Sequence, residues 1–274
     1  MRISLEELRD NLEKFLTMAE SQDVFITKDG KDVVKIVSAN VGRDLSVKSI
    51  MNEITQNLEL GNADSGQYSQ LIPTLTGVSD LIGIHSGKEK GYADRTRRYL
   101  EVMVNALSDD DDYKNEVASW DKGLFLLSAN LHDVGEAAVT DSYLKKAGEL
   151  TKEEYEDIKA HTEHGVKIVH RVKENLELNA LFDYAEIVAG SHHEKWDGTG
   201  YPLGLKGDKI PLQGRIMAIV DVYNALTTER AHRKKKTHDE AIAIIKDGSG
   251  THFDPGLVKA FTSHENEFKK TVEA

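Results

Sequence analysis

The chain has 274 residues, long for one domain and sufficient for two, and 39% of them are hydrophobic, enough for a sizeable core. A formal net charge of -12 argues against broad, non-specific binding to nucleic acid or to an anionic membrane, so a phosphate-bearing ligand must be met by a local basic patch or by metal ions. The absence of cysteine excludes disulfides and thiolate metal sites. Because the sequence also lacks an apolar run of about 18 residues and a signal-like N-terminus, a cytoplasmic protein without membrane contact is predicted.

Residues 1–40 are predicted to form a small α+β unit. Leucines recur at helical spacing between residues 1 and 20, whereas Val24–Thr27 and Val33–Val37 flank the turn signal Asp29-Gly30 and predict a hairpin. One helix and one hairpin bury too little area to be stable alone, so this unit is expected to dimerise or to dock on the rest of the chain. Residues 8–38 resemble the N-terminal part of prevent-host-death antitoxins, which implies a homodimer. That family often binds operator DNA, but the unit has six basic and eight acidic residues, which argues against DNA binding here.

Residues 41–69 are predicted to be a connector, helical over 45–60 and broken at Gly61–Gly66. The third unit, residues 70–274, shows helical patterns and no alternating strand pattern of any length. A mainly α fold is therefore predicted. Examples of the helical segments are Thr96–Leu107, Leu124–Leu131, Lys152–Val172, Leu178–Gly190 and Arg215–Thr227.

Histidine and aspartate residues stand at the ends of several of these apolar segments. Polar groups in such places are costly to bury unless they are paired or bind a metal. Each one taken singly is more often a hydrogen-bonded core residue. Together, four imidazoles and two carboxylates form a ligand set suited to two divalent ions, with one aspartate bridging. The six residues are His132, Asp133, His161, His192, His193 and Asp221.

The same residues carry a resemblance to a known family. His132-Asp133-Val-Gly, His161-Thr-Glu-His-Gly, the string HHEKWDGTGYP over residues 192–202, and Asp221 follow one another as in the HD-GYP phosphodiesterases of the HD superfamily. The resemblance implies an HD-type helical bundle with a central metal site, and hydrolysis of cyclic di-GMP or a related cyclic dinucleotide to the linear dinucleotide. Two ions bridged by Asp133 would activate a water molecule as hydroxide and neutralise the phosphate. The mixed ligation favours iron or manganese and leaves zinc or nickel open.

The resemblance also assigns roles beyond metal ligation. Arg230 and Arg233 match a motif that contacts the substrate phosphate, which a guanidinium can hold with two hydrogen bonds. Gly200, Tyr201 and Pro202 match a loop that, in the family, can also dock protein partners such as diguanylate cyclases.

The sequence departs from the family pattern near the metal site. When Arg95 is aligned with the family's arginine, Lys88 stands where the family has a glutamate and Tyr92 where it has a histidine. A third ion is therefore not expected, and one of the other two loses an imidazole unless His85 replaces it. Glu136 stands where the family presents a lysine to the phosphate. It is predicted to act at the catalytic centre, either as an additional metal ligand or as a substitution that lowers turnover.

Three functions remain open on this basis. The leading prediction is a cyclic dinucleotide phosphodiesterase whose activity is reduced by these departures. The alternative is a catalytically weak module that binds metal and nucleotide and regulates partner proteins. The third is a phosphohydrolase that acts on another nucleotide.

Overall fold

The computed structural model describes residues 2–4, 24–28, 31–36, 68–89, 91–174, 179–229 and 234–273. Near the N-terminus, β1 (Arg2–Ser4) pairs in parallel with β2 (Val24–Lys28), and β2 pairs antiparallel with β3 (Lys31–Ile36). The antiparallel pair confirms the predicted hairpin, although its turn at residues 29–30 lies outside the described residues.

The strand at residues 2–4 was not predicted. Residues 2–4 are a strand, with Ile3 opposite Ile26, because their backbone groups find partners along the edge of β2. Residues 5–20, where the rest of the N-terminal helix was predicted, lie outside the described residues, as does the predicted connector up to residue 67.

From residue 68 onward the described residues form α-helices and short 3-10 turns, as predicted for a mainly α fold. The α-helices are α1 (Tyr68–His85), α2 (Tyr92–Ser108), α3 (Lys114–Val117), α4 (Lys122–Ser128), α5 (Asp141–Leu144), α6 (Lys152–Lys159), α7 (His161–Lys173), α8 (Asn179–Ser191), α9 (Leu212–Thr227), α10 (His238–Asp247), α11 (Pro255–Ser263) and α12 (Glu265–Glu273). Among these helices, none has the length and apolar character required to cross a bilayer.

Helix α9 runs through the larger of two apolar clusters. Its side chains are buried on nearly all sides, as is typical of a helix surrounded by other helices. It packs against α2, α8 and α10. The rings of Tyr99, Tyr223, Phe261 and Phe268 pack against one another beside it, with centroids 4.5–5.5 Å apart. The close packing around α9 therefore fixes the position of any polar side chain that this helix carries.

Helix α4 lies between the two clusters. Its Phe125 packs in the larger cluster, whereas Leu124 and Leu127 pack in the smaller one, which α1, α7 and α8 complete. Two 3-10 turns follow α4 directly, Ala129–Leu131 and Val134–Ala138. The residues between these turns are His132 and Asp133, so both clusters fix their position.

The second of these turns touches α7 through two glycines. A Cβ atom added to Gly135 would lie only 1.9 Å from the His161 carbonyl oxygen and 2.4 Å from the Gly165 nitrogen. The segment after Asp133 can therefore approach the start of α7 only because residue 135 has no side chain.

We expect Gly135→Ala to lower the free energy of unfolding by about 1–3 kcal/mol, because the added methyl group must push two backbone segments apart. Denaturant unfolding of the metal-free protein would measure the change. Gly77→Ala is the matched control, because a Cβ at this helical glycine meets no atom within 4 Å. This control should be neutral or gain about 0.5–1 kcal/mol. Equal stability of the two variants would contradict the close approach.

Candidate metal centre

The six predicted ligands come from four parts of the fold. His132 and Asp133 lie between the 3-10 turns after α4, and His161 is the first residue of α7. His192 and His193 follow the last residue of α8. Asp221 lies inside α9, within the predicted helical segment Arg215–Thr227, rather than at a helix end. The helix continues past Asp221 because Tyr223 and Leu226 extend its buried face.

Three of the histidines are oriented in the same way. The Nδ1 atom of His132 lies 2.6 Å from the Ala129 carbonyl, that of His161 lies 2.6 Å from the Ile158 carbonyl, and that of His192 lies 2.7 Å from the Val188 carbonyl. A carbonyl only accepts hydrogen bonds, so each Nδ1 donates and each Nε2 is turned towards the centre. This is the usual arrangement of metal-binding histidines, whose second nitrogen is held by the backbone.

The oriented nitrogens and the carboxylates form two groups that share Asp133. The first contains Asp133, His161, His192 and His193, and the second contains His132, Asp133 and Asp221. Within each group the ligand atoms lie within 4.8 Å of one another. In the first group the Nε2 atoms of His161 and His192 are 3.4 Å apart, each also 3.4 Å from Asp133 Oδ1. This donor set, imidazole nitrogens with one carboxylate, fits a divalent transition metal.

A lysine and a tyrosine contact the second group, and neither was predicted as a site residue. The Nζ atom of Lys88 contacts Asp133 Oδ2, and the Tyr92 hydroxyl donates to Asp221 Oδ1 over 2.8 Å. Lys88 is 8% exposed and Tyr92 is 4% exposed, so both belong to the buried centre. His85, the alternative to Tyr92, lies instead 3.1 Å from Asp141.

Tyr92 is held in place by Asn224 on α9. The Asn224 side-chain nitrogen donates to the Tyr92 carbonyl over 3.0 Å and to Thr96 Oγ1 over 2.7 Å. The side chain of Asn224 is fully buried. The start of α2 is thereby fixed against the helix that carries Asp221.

Glu136 belongs to neither group of potential ligands. Its Oε2 atom accepts a hydrogen bond from Lys88 Nζ over 2.8 Å. Glu136 was predicted to be either an additional metal ligand or a substitution that lowers turnover, and the structure gives it a cationic partner 48 positions earlier in the chain. The sequence did contain a sign of this pair, because Lys88 and Glu136 both depart from the family pattern and carry opposite charges.

The pKa shifts of the centre follow from burial and from these contacts. Burial opposes protonation of His132, but Asp133 and Asp221 raise its pKa to about 10. Burial and the neighbouring His192 and His161 hold the pKa of His193 well below its usual value, so this ring is neutral. Burial alone would raise the pKa of Asp133, yet His132 and Lys88 lower it, so the carboxylate is ionised. In the absence of a metal ion, the protonated His132 and the Lys88 ammonium compensate the negative charge of the carboxylates.

The predicted glycine-rich loop closes one side of the centre through Tyr201. Its ring stacks on His193 with the centroids 4.8 Å apart, and its nitrogen donates to the His193 carbonyl over 3.1 Å. Lys159 Nζ lies 5.5 Å from the centroid of the same ring. The Gly200 backbone passes so close to Lys195 that a Cβ would lie 2.2 Å from its nitrogen. Pro202 follows Tyr201 and is half-buried.

The loop is fixed at its base by Glu194 and by a distant segment. The Glu194 carboxylate, 2% exposed, accepts hydrogen bonds from the nitrogens of Leu203 and Leu205 over 2.7 and 2.9 Å. The backbone nitrogens of Trp196 and Asp197 donate to carbonyls of residues 252 and 251 over 3.1 and 2.9 Å. Neither contact was predicted from the sequence.

Arg230 and Arg233, the predicted phosphate-binding residues, lie outside the described residues. Their role stays a prediction. Among the described residues, Lys159 places a positive charge next to Tyr201.

Comparison with known proteins adds a family and several relatives. A family model described as HD domain matches residues 77–257. A protein of Vibrio cholerae named "Probable cyclic di-GMP phosphodiesterase" is 41% identical over 176 residues, which cover 64% of this chain and 40% of that protein. A "Cyclic di-GMP phosphodiesterase" of the same species is 41% identical over 174 residues, covering 64% of this chain and 35% of that protein.

A third relative carries a different substrate name. The "3'3'-cGAMP-specific phosphodiesterase 2" of Vibrio cholerae is 42% identical over 138 residues, covering 50% of this chain and 26% of that protein. The chain therefore spans less than half the length of the curated relatives described here.

We expect His161→Ala to lower the amount of divalent metal bound to the purified chain by about tenfold or more, because it removes one donor of the first group. Elemental analysis after equilibrium dialysis would measure this. His170→Ala is the matched control, since His170 lies on the same helix but its side chain is 59% exposed. If the two variants bind equal amounts of metal, His161 is not a ligand.

Binding of an ion to the second group is expected to release a proton. Below its pKa of about 10, His132 carries a proton at Nε2 that an ion in this group must displace, so the affinity of the second group should rise as the pH is raised from 6 to 9. Calorimetric titrations in two buffers with different protonation enthalpies would detect the release as a buffer-dependent heat. A heat independent of the buffer would show that the ions leave His132 protonated.

Proposed function

The chain belongs to the HD domain family, and from that premise we propose that it is a metal-dependent phosphodiesterase that hydrolyses a cyclic dinucleotide to the linear dinucleotide. The observation that supports the proposal most directly is the convergence of oriented imidazoles on the Asp133 carboxylate. The names of the relatives support the substrate class, cyclic di-GMP or 3'3'-cGAMP.

The donor set of the centre fits the metal dependence. When bound, divalent ions would lower the pKa of a water molecule and neutralise the charge of the phosphate. Asp133, His161, His192 and His193 would hold one ion, and His132 and Asp221 form the second group with Asp133. Iron or manganese is favoured for such ligands, and zinc or nickel also fits them.

Other residues of the chain are assigned to the substrate. Tyr201 offers an aromatic face at the rim of the centre, where a nucleobase could stack, and Lys159 lies beside it with a charge that attracts phosphate. Arg230 and Arg233 would contact the phosphate as the family resemblance implies. Burial of Asp133 and the histidines keeps bulk water away from the reacting phosphate.

A second candidate function is a catalytically weak module that binds metal and nucleotide and regulates a partner. Lys88 favours it, because this ammonium contacts the shared ligand Asp133. In that case Gly200, Tyr201 and Pro202 would dock a protein such as a diguanylate cyclase, and residues 1–40 would mediate a homodimer.

Hydrolysis separates the two candidates. We expect the chain purified with manganese or iron to convert cyclic di-GMP or 3'3'-cGAMP to its linear form, measured by chromatography and mass spectrometry. Asp133→Asn should lower kcat/KM by about 100-fold or more, because it removes the charge shared by both ligand groups.

Glu163→Gln is the control for the hydrolysis experiment. This carboxylate lies two residues after His161, but its side chain is 61% exposed, so the variant should retain activity. Metal binding without hydrolysis of either substrate would reject the enzyme and favour the regulatory module.

A further inference from the structure

Lys88 is the one ammonium among the described residues that contacts the carboxylate shared by both metal groups. Its backbone nitrogen donates to the Gly83 carbonyl over 2.7 Å, which fixes the turn between α1 and α2. Its Nζ atom touches Asp133 Oδ2 and lies 2.8 Å from Glu136 Oε2 and 5.2 Å from the centroid of the Tyr92 ring. The ammonium is therefore held by the backbone, by two carboxylates and by an aromatic face.

The two oxygens of Asp133 face different surroundings. Oδ1 lies 3.4 Å from the Nε2 atoms of both His161 and His192, and these contacts belong to the first group. Oδ2 lies 2.9 Å from His132 Nε2 and is the oxygen that Lys88 contacts. Lys88 thus binds the shared carboxylate on the side of the second group alone.

The other carboxylate of the second group is also engaged. Asp221 Oδ1 accepts the Tyr92 hydroxyl over 2.8 Å. The carboxylate oxygens that lie 2.9 and 3.6 Å from His132 Nε2, Asp133 Oδ2 and Asp221 Oδ1, therefore each already have a buried hydrogen-bond donor from the segment 88–92. The first group has no such donor among the described residues, apart from its own imidazoles.

The charges of the centre also favour an ion at the first group over an ion at the second group. Apart from the imidazoles, Asp133, Asp221 and Glu136 contribute three negative charges and Lys88 one positive charge, which leaves minus two. One divalent ion at the first group is enough to offset this charge. A second ion would lie next to the Lys88 ammonium and would have to overcome its repulsion as well as displace it from Asp133.

We propose that Lys88 is a built-in cation that takes the place of the second divalent ion. The chain then binds one ion tightly, at Asp133, His161, His192 and His193, while Lys88 and Tyr92 occupy the ligand oxygens of the second group. Glu136 keeps Lys88 in this position by pairing with it. The inference rests on the metal dependence in the proposed function but not on the identity of the substrate.

The test is the number of Mn²⁺ ions bound by the full chain, with and without Lys88. Equilibrium dialysis followed by elemental analysis counts the ions, and electron paramagnetic resonance distinguishes an isolated Mn²⁺ from a spin-coupled pair. The wild-type chain should bind one tight ion with the isolated signal. Lys88→Met should bind a second ion at least about tenfold more tightly than the wild-type chain does, and should show the coupled signal.

Two further variants make the result specific. Lys88→Gln keeps polarity without charge and should behave as Lys88→Met does, which guards against a folding defect in one variant. Lys114→Met removes an ion-paired lysine whose side chain is 46% exposed and should leave the single ion unchanged.

Two tight, spin-coupled ions in the wild-type chain would overturn the inference, as would a single ion in both Lys88 variants. Failure of the proposed function looks different. In that case the wild-type chain binds its one ion, the Lys88 variants gain the second, and no cyclic dinucleotide is hydrolysed.

Discussion

The arrangement of the helical part depends on the contacts that compensate the buried carboxylate of Asp133. A carboxylate in the interior must be compensated, and here two imidazoles face one oxygen while an imidazole and an ammonium face the other. These partners come from segments far apart in the chain. The two apolar clusters supply the free energy of folding that offsets the cost of collecting so many polar groups in one place. Misplacing any one of these segments would leave charge uncompensated.

Much of the helical part could be predicted from the sequence, because apolar periodicity is a local feature. The candidate metal ligands were also accessible, since His132-Asp133, His161 and His192-His193 stand next to apolar helices where an unpaired polar group is costly. The helix that carries Asp221 was accessible as well, because the predicted segment Arg215–Thr227 lies within α9.

One contact that was not predicted joins two distant residues of opposite charge. Lys88 and Glu136 each depart from the family pattern. Singly, Lys88 predicts that a third ion is absent, and Glu136 predicts either an additional metal ligand or a lower turnover. Their meaning changes once they are seen to touch, because 48 positions separate them and no local pattern records the pair. The strand at residues 2–4 was missed for a similar reason: its hydrogen-bonding partner lies more than 20 positions away. Pairing across such distances is decided by the whole fold rather than by spacing.

The anchoring of the loop that carries Tyr201 has a consequence for recognition. Its backbone is tied to the Glu194 carboxylate and to the carbonyls of Thr251 and His252, so its conformational entropy is lost during folding and not when a ligand arrives. A molecule that approaches this surface therefore meets a template already in its final shape, and little of its binding free energy is spent on ordering the loop. Selection among ligands at this edge then operates by shape, with little room for mutual adjustment.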